Sequence, residues 1–216
     1  MLNIDQMKHL RKHLLLILLF GTLIGLQETI IGSFDFQLRP VVLSTFTLLL
    51  LMAARYSIRS KGSSILVILI AVLFKINTIG VQSCDTNVLL CGPTALFLLG
   101  LNFEIFSGLF TSALSFRPIQ AIKICLFTAF VSFAMFGLMN TFILMTWETE
   151  TLFRYILVSA SLTLFLSGGL SVFMLILAEE YQDTLHQGEK FQTAFRNMAK
   201  IIIFSLWTLG TVSSFQ

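Results

Sequence analysis

Charge is what this sequence has least of. Of its 216 residues, 14 are Lys or Arg and 11 are Asp or Glu, 12% in all, about half the roughly 25% that soluble domains carry. A water-soluble globular fold is excluded by that composition, and a disordered chain needs the opposite one. Cysteine is also scarce: Cys84, Cys91 and Cys125 form no C-x-x-C pair, so a quinone-coupled thiol oxidoreductase lacks its motif. No His/Cys/carboxylate group has metal-ligand spacing, which removes a structural zinc site. The histidines His9, His13 and His186 all lie outside the apolar runs, so haem held by two histidines within a bilayer is excluded. There is no phosphate-cradling glycine loop and no H-E-x-x-H helix. No apolar run contains an Asp, as intramembrane aspartyl proteases require. Glu179-Glu180 looks like a paired-glutamate protease signature but lacks the accompanying Arg and the later histidines. The chain is therefore expected not to be an enzyme, and to need neither cofactor nor metal. Nothing points to nucleic acid.

What is present is hydrocarbon. Hydrophobic residues make up 56% of the chain, with 22 Phe among them. A bilayer core of about 30 Å takes about 20 apolar residues per helical crossing, so the chain has room for six or seven crossings and little else. The runs fall at 14–34, 41–56, 63–80, 93–116, 119–147 and 152–178, with a short last one at 201–215. Breakers separate them: Ser33 with Asp35, Ser60-Lys61-Gly62, Cys91-Gly92-Pro93 and Arg117-Pro118. Pro93 and Pro118 suit the first turn of a helix, where donors are spare. The expectation is an all-α, polytopic membrane bundle of six helices plus a short seventh. It divides into a polar N-terminal segment 1–13, a transmembrane domain 14–178, a polar linker 179–200 and a hydrophobic tail 201–216. The basic start before the first run has the flavour of a secretory signal, but the run is too long for one and lacks a small-x-small cleavage pattern. A retained first helix is expected.

Lys and Arg in short loops set orientation. Lys8, Arg11, Lys12, Arg55, Arg59, Lys61, Arg117 and Lys123 fall on one face, against Arg39 and Arg154 on the other. The N-terminus is therefore expected in the cytoplasm, with the protein multi-pass in the cell inner membrane. The linker 179–200, of mixed charge, then lies on the cytoplasmic side.

A charge at the centre of a crossing costs roughly 2.5–3.5 kcal/mol on insertion scales, so each such group asks for a reason. The first run holds Gln27 and Glu28, the third Lys75 and Asn77, the fourth Asn102 and Glu104. Counting helix rise from the start of each run puts Glu28, Lys75 and Glu104 at levels that can meet, between mid-membrane and the outer third. They read either as a buried pair that fixes packing, Lys75 with Glu28 or with Glu104, or as the polar floor of an outward-opening cavity. Asn140, Trp147, Arg154 and Tyr155 gather at the outer rim, where Trp and Tyr are ordinary belt residues and Arg154 can attract an anion. Gly21 and Gly25, four apart on one helix face, permit close approach of another helix, and packing within the chain is the plain explanation. Gly168 and Gly169 with Ser167 and Ser171 give the sixth run a flat patch. Cys84 and Cys91 share an outer loop, where they can form a disulfide or remain free thiols, while Cys125 reads as a small hydrophobe.

The order of these features resembles the substrate-binding S components of energy-coupling factor (ECF) transporters. Three stretches carry the likeness: the small-xxx-small motif Gly21/Gly25 of the first helix; Arg39-Pro40 leading into the second, with its basic turn; and the proline-led fourth helix, Cys91-Gly92-Pro93 through to Glu104. The resemblance covers residues 10–180 and is one of pattern; a seventh run departs from the family's six helices. It implies a bundle that captures a vitamin or similar micronutrient in its outer half, with Gln27, Glu28, Lys75, Asn77, Asn102, Glu104, Asn140 and Arg154 as candidates to bind it. It further implies docking on a membrane coupling subunit through Gly21 and Gly25, and two cytoplasmic ATPases as partners. The alternative is a structural or assembly subunit of a larger membrane complex, in which the buried charges serve packing alone. An enzyme using Glu28 or Glu104 as an acid/base is the least favoured reading.

Overall fold

The computed structural model describes residues 4–34, 38–58, 60–77, 91–110, 118–143 and 149–172. Every element among them is helical: α1 (Ile4–Gly32), α2 (Arg39–Ile58), α3 (Ser63–Asn77), α4 (Cys91–Phe110) and α5 (Pro118–Leu138), which runs on through a wider π turn, Met139–Ile143. The last described helix, α6 (Thr149–Val172), opens with a short α segment, Thr149–Tyr155, and passes through a second π turn, Ile156–Ala160. Helices are what this composition dictates, because a backbone in hydrocarbon must bond within its own segment. Five helices, all but α3, are long and apolar enough to cross a membrane. The chain is an all-α, membrane-embedded, multi-pass protein. The linker 179–200, the tail 201–216, Trp147 and Cys84 lie outside the described residues, as does the side chain of Cys91.

Helix limits follow local chemistry. The polar residues before the first run are already helical from Ile4, so α1 begins well ahead of its apolar part. Pro40, Pro93 and Pro118 all sit within the first three residues of their helices, where no intrahelical donor is lost. The turn between α2 and α3 closes at Gly62, whose φ of 80° only glycine adopts without strain.

α2 is the most deeply buried of the long helices and touches α1, α3, α4, α5 and α6. Around it the neighbours follow in the order α1, α3, α4, α5, α6. Its inward residues Leu48, Leu51 and Ala54 meet Ile24, Val67, Ile68, Phe103, Ala121 and Ile124 in one core. Outward, Phe165, Leu109, Ile119 and Phe153 are more than 60% exposed, an apolar rind suited to acyl chains. The bundle thus has two distinct ends. At the turn end, α2 passes into α3; at the loop end, α1 gives way to α2 and α4 begins.

α1 and α3 form the closest seam. A Cβ on Gly21 would stand 2.6 Å from the Ile70 Cβ and 2.7 Å from the Val67 carbonyl oxygen, and one on Gly25 would stand 2.7 Å from the Phe74 ring. The small-residue face expected to receive a partner is therefore covered by α3 of the same chain, and packing within the bundle is what requires those glycines.

Candidate ionic and polar sites

The expected meeting of Glu28, Lys75 and Glu104 does not occur; the structure divides them between the two ends. Glu104 lies at the turn end. Its Oε1 accepts from the Arg55 guanidinium at 3.0 Å and from the Gly62 N–H at 2.7 Å, and its Oε2 accepts from the Ser64 N–H at 3.2 Å. Arg55, counted from sequence as a turn cation, is only 1% exposed and also donates to the Ser60 carbonyl. Glu104 thus closes the first turn of α3, whose leading N–H groups have no intrahelical acceptor and whose dipole favours a negative charge there. One Arg55 donor, Nε, is buried without an acceptor. The sequence estimate of depth failed because it let every run cross the whole bilayer. α3 is short, and Gly92 of α4 stands beside Lys75 near the top of it. Twelve residues further along α4, about 18 Å at 1.5 Å per residue, Glu104 arrives beside Ser64 and not beside Lys75.

At the loop end the other pair is found. Glu28 is 5% exposed and Lys75 6%. The Lys75 Nζ donates to the Glu28 backbone carbonyl at 3.5 Å. The Glu28 Oε1 lies 3.0 Å from the point a Gly92 Cβ would occupy, and the Lys75 Cε lies 3.7 Å from it. Glycine at 92 is what admits the carboxylate to the opening turn of α4. Arg39, at the start of α2, is close enough to act electrostatically on Glu28. Of the two neighbours open to Lys75 from sequence, it lies by Glu28, through the backbone carbonyl; among the described residues the two side chains form no ion pair.

The remaining candidates face other neighbours. Gln27 Nε2 donates to Thr47 Oγ1 at 2.6 Å and to the Leu43 carbonyl at 3.2 Å, tying α1 to α2. Asn102 donates to Ser132 Oγ at 3.0 Å, tying α4 to α5. Asn140, in the π turn, donates to the Phe136 carbonyl at 2.8 Å within its own helix. Arg154 is exposed. The side chain of Asn77 lies outside the described residues. Of the seven whose side chains are described, only Glu28 and Lys75 are brought together.

Sequence reading missed a polar seam between α5 and α6. Cys125 and Thr128 lie on α5, and Thr163, Ser167 and Ser171 on α6, all 1% exposed or less. Cys125 Sγ stands 4.0 Å from Ser171 Oγ, and Ser167 bonds back to the Thr163 carbonyl. The signal was present as small polar residues at steps of four on α6, a pattern that lets membrane helices approach. Among the described residues no group of His, Cys, Asp and Glu can hold a metal. Comparison with protein-family models, with curated proteins and with solved structures finds no match to this chain.

Proposed function

We propose that this chain is a membrane-embedded substrate-capture subunit of an importer of the energy-coupling factor kind that its sequence resembles, taking up a vitamin or similar micronutrient across the cytoplasmic membrane. The observation that carries the reading is the loop-end pair: two oppositely charged side chains from α1 and α3, both nearly enclosed, facing the glycine start of α4. Arg11, Lys12, Lys61 and Lys123 are exposed at the turn end, which on the positive-inside rule assigns that end to the cytoplasm. The Glu28–Lys75 end then faces outward, where captured solute arrives. A coupling subunit with its ATPases would engage a face other than Gly21/Gly25, since α3 covers them.

Native mass spectrometry of the purified full chain tests this. The wild type should carry a bound small molecule, and Lys75→Ala should lose it. Unchanged retention in a folded Lys75→Ala protein would remove Lys75 from any site.

One set of observations favours the second reading, an assembly or structural subunit. Gln27, Asn102, Glu104 and Asn140 all serve contacts within the bundle, so polar groups in this chain are regularly used for packing. That reading expects no retained solute and co-purification with other integral membrane proteins in mild detergent.

A further inference from the structure

We propose that the turn end of the α1–α3 pair seats an anionic phospholipid, its phosphate between Arg11 and Lys61 and one acyl chain laid along α3. The inference goes beyond the capture reading and does not depend on it. α1 and α3 run in the same direction, with Gly21 against Val67 and Ile70 and Gly25 against Phe74. Arg11, Leu14, Gly21 and Gly25 fall on one face of α1 by their helical spacing. About two turns below Gly21, the same register brings that face level with the turn that precedes α3, so no helix covers it there. Arg11 and Leu14 stand exposed, and so does Lys61 in the turn itself. Neither cation is compensated: among the described residues the one ion pair is Arg55–Glu104. Glu104, the one acid whose side chain is described at this end, is already taken by Arg55 and two backbone N–H groups.

Above the cations runs an apolar ridge. Leu66, Leu69, Leu73 and Ile76 follow one face of α3 in steps of three and four residues, and all are 41–53% exposed. From Leu66 to Ile76 the rise is about 15 Å at 1.5 Å per residue, half of a hydrocarbon core of about 30 Å and so the depth of one leaflet. A phosphate at Arg11 and Lys61 therefore has an acyl chain's length of hydrocarbon in line with it. A free phosphate would meet the cations and leave the ridge unused. A zwitterionic lipid would bring a cation of its own toward Arg11 and Lys61. Each Lys or Arg near an anionic membrane surface contributes about 1 kcal/mol, roughly fivefold in binding. Lys123 is exposed at the same end but on α5, separated from α3 by α4, and serves as the control.

The test is native mass spectrometry of the full chain in mild detergent. The chain is titrated with dioleoyl phosphatidylglycerol, with dioleoyl phosphatidylcholine, and with glycerophosphoglycerol, the anionic headgroup without its acyl chains. The wild type should bind the anionic lipid at least tenfold more tightly than the zwitterionic one and should not bind the free headgroup at the same concentrations. Arg11→Gln and Lys61→Gln should each cut that preference at least threefold, and the double variant should bring the two lipids within twofold of each other. Lys123→Gln should leave the preference unchanged. All three side chains are exposed and outside any described ion pair, and the single variants carry the result if the double one aggregates. Leu69→Ala with Leu73→Ala should weaken the anionic lipid at least threefold. Three results overturn the proposal: equal binding of the two lipids, a loss in Lys123→Gln as large as in Lys61→Gln, or full-strength binding of the headgroup alone. The first removes the anion preference, the second spreads it over the whole rim, and the third leaves a plain phosphate site with no use for the ridge. Unchanged binding in the leucine variant overturns the placement of the chain on α3.

Discussion

The two ends of this bundle each set a glutamate against the first turn of a neighbouring helix and add a cation from a third, yet the two arrangements are not alike. At the turn end the geometry is closed: Glu104 receives a guanidinium and two backbone N–H groups, and Arg55 is locked between it and Ser60. At the loop end the charges are equally sequestered, but Lys75 reaches a backbone carbonyl and no described donor reaches the Glu28 carboxylate. A buried ion pair contributes when its remaining hydrogen-bonding capacity is met, and is a liability when it is not. By that measure the Glu104 carboxylate, with three donors, is a fastening in which only Arg55 Nε goes unmet, and no comparable set of donors is described around the Glu28 carboxylate.

The sharpest way to break the comparison is to remove one partner at each end. Glu104→Ala strands Arg55, 1% exposed, without its carboxylate and uncaps α3. A loss of about 3–5 kcal/mol is expected, measured by denaturant titration in mixed micelles. Glu28→Gln, nearly isosteric, breaks no side-chain hydrogen bond seen here, so a loss of about 1 kcal/mol or less is expected. If Glu28→Gln cost as much as Glu104→Ala, both ends would be fastenings, and the assembly reading would gain over capture.

Next in size is the α1–α3 seam. Gly21→Ala places a methyl against the Ile70 Cβ and the Val67 backbone oxygen, neither of which can turn away; Gly25→Ala meets the Phe74 ring, which can rotate, and the Phe74 Cβ at 2.8 Å, but no backbone atom. Overpacking of this kind costs about 1–3 kcal/mol, and Gly21→Ala should lie at the upper end with Gly25→Ala below it. Thermal unfolding of the two variants gives the order. The reverse order would mean that α3 shifts as a unit and that the seam tolerates sliding.

The helices were legible because their runs are bounded by Gly62, Pro93 and Pro118, which act locally. The partnership of Glu104 was not, because it depends on how far α3 extends against α4, and no local pattern carries that length. Counting rise along one helix fixes a residue's height on that helix alone; a short neighbour changes which heights meet. Arg55 shows the same limit: at the end of an apolar run it looks like a loop cation, and only the tertiary contact with α4 makes it a core residue. Gly21 and Gly25 announced a close helix contact correctly, but spacing cannot say whether the neighbouring helix belongs to the same chain.

The smallest effect asks whether polar contacts in mid-bundle resemble either end. Asn102 and Ser132 form a neutral bond between α4 and α5, and interhelical hydrogen bonds in membranes average about 0.6 kcal/mol in double-mutant cycles. Asn102→Leu, Ser132→Ala and the double variant should return a coupling of that order. The Ser132 hydroxyl is also 3.5 Å from the Leu98 carbonyl, so Ser132 retains an acceptor when Asn102 is removed, and the coupling should be small for that reason. A coupling above about 2 kcal/mol, beyond the range seen for neutral pairs in membranes, would make this contact a third fastening. The bundle would then be tied at mid-height as firmly as at the turn end.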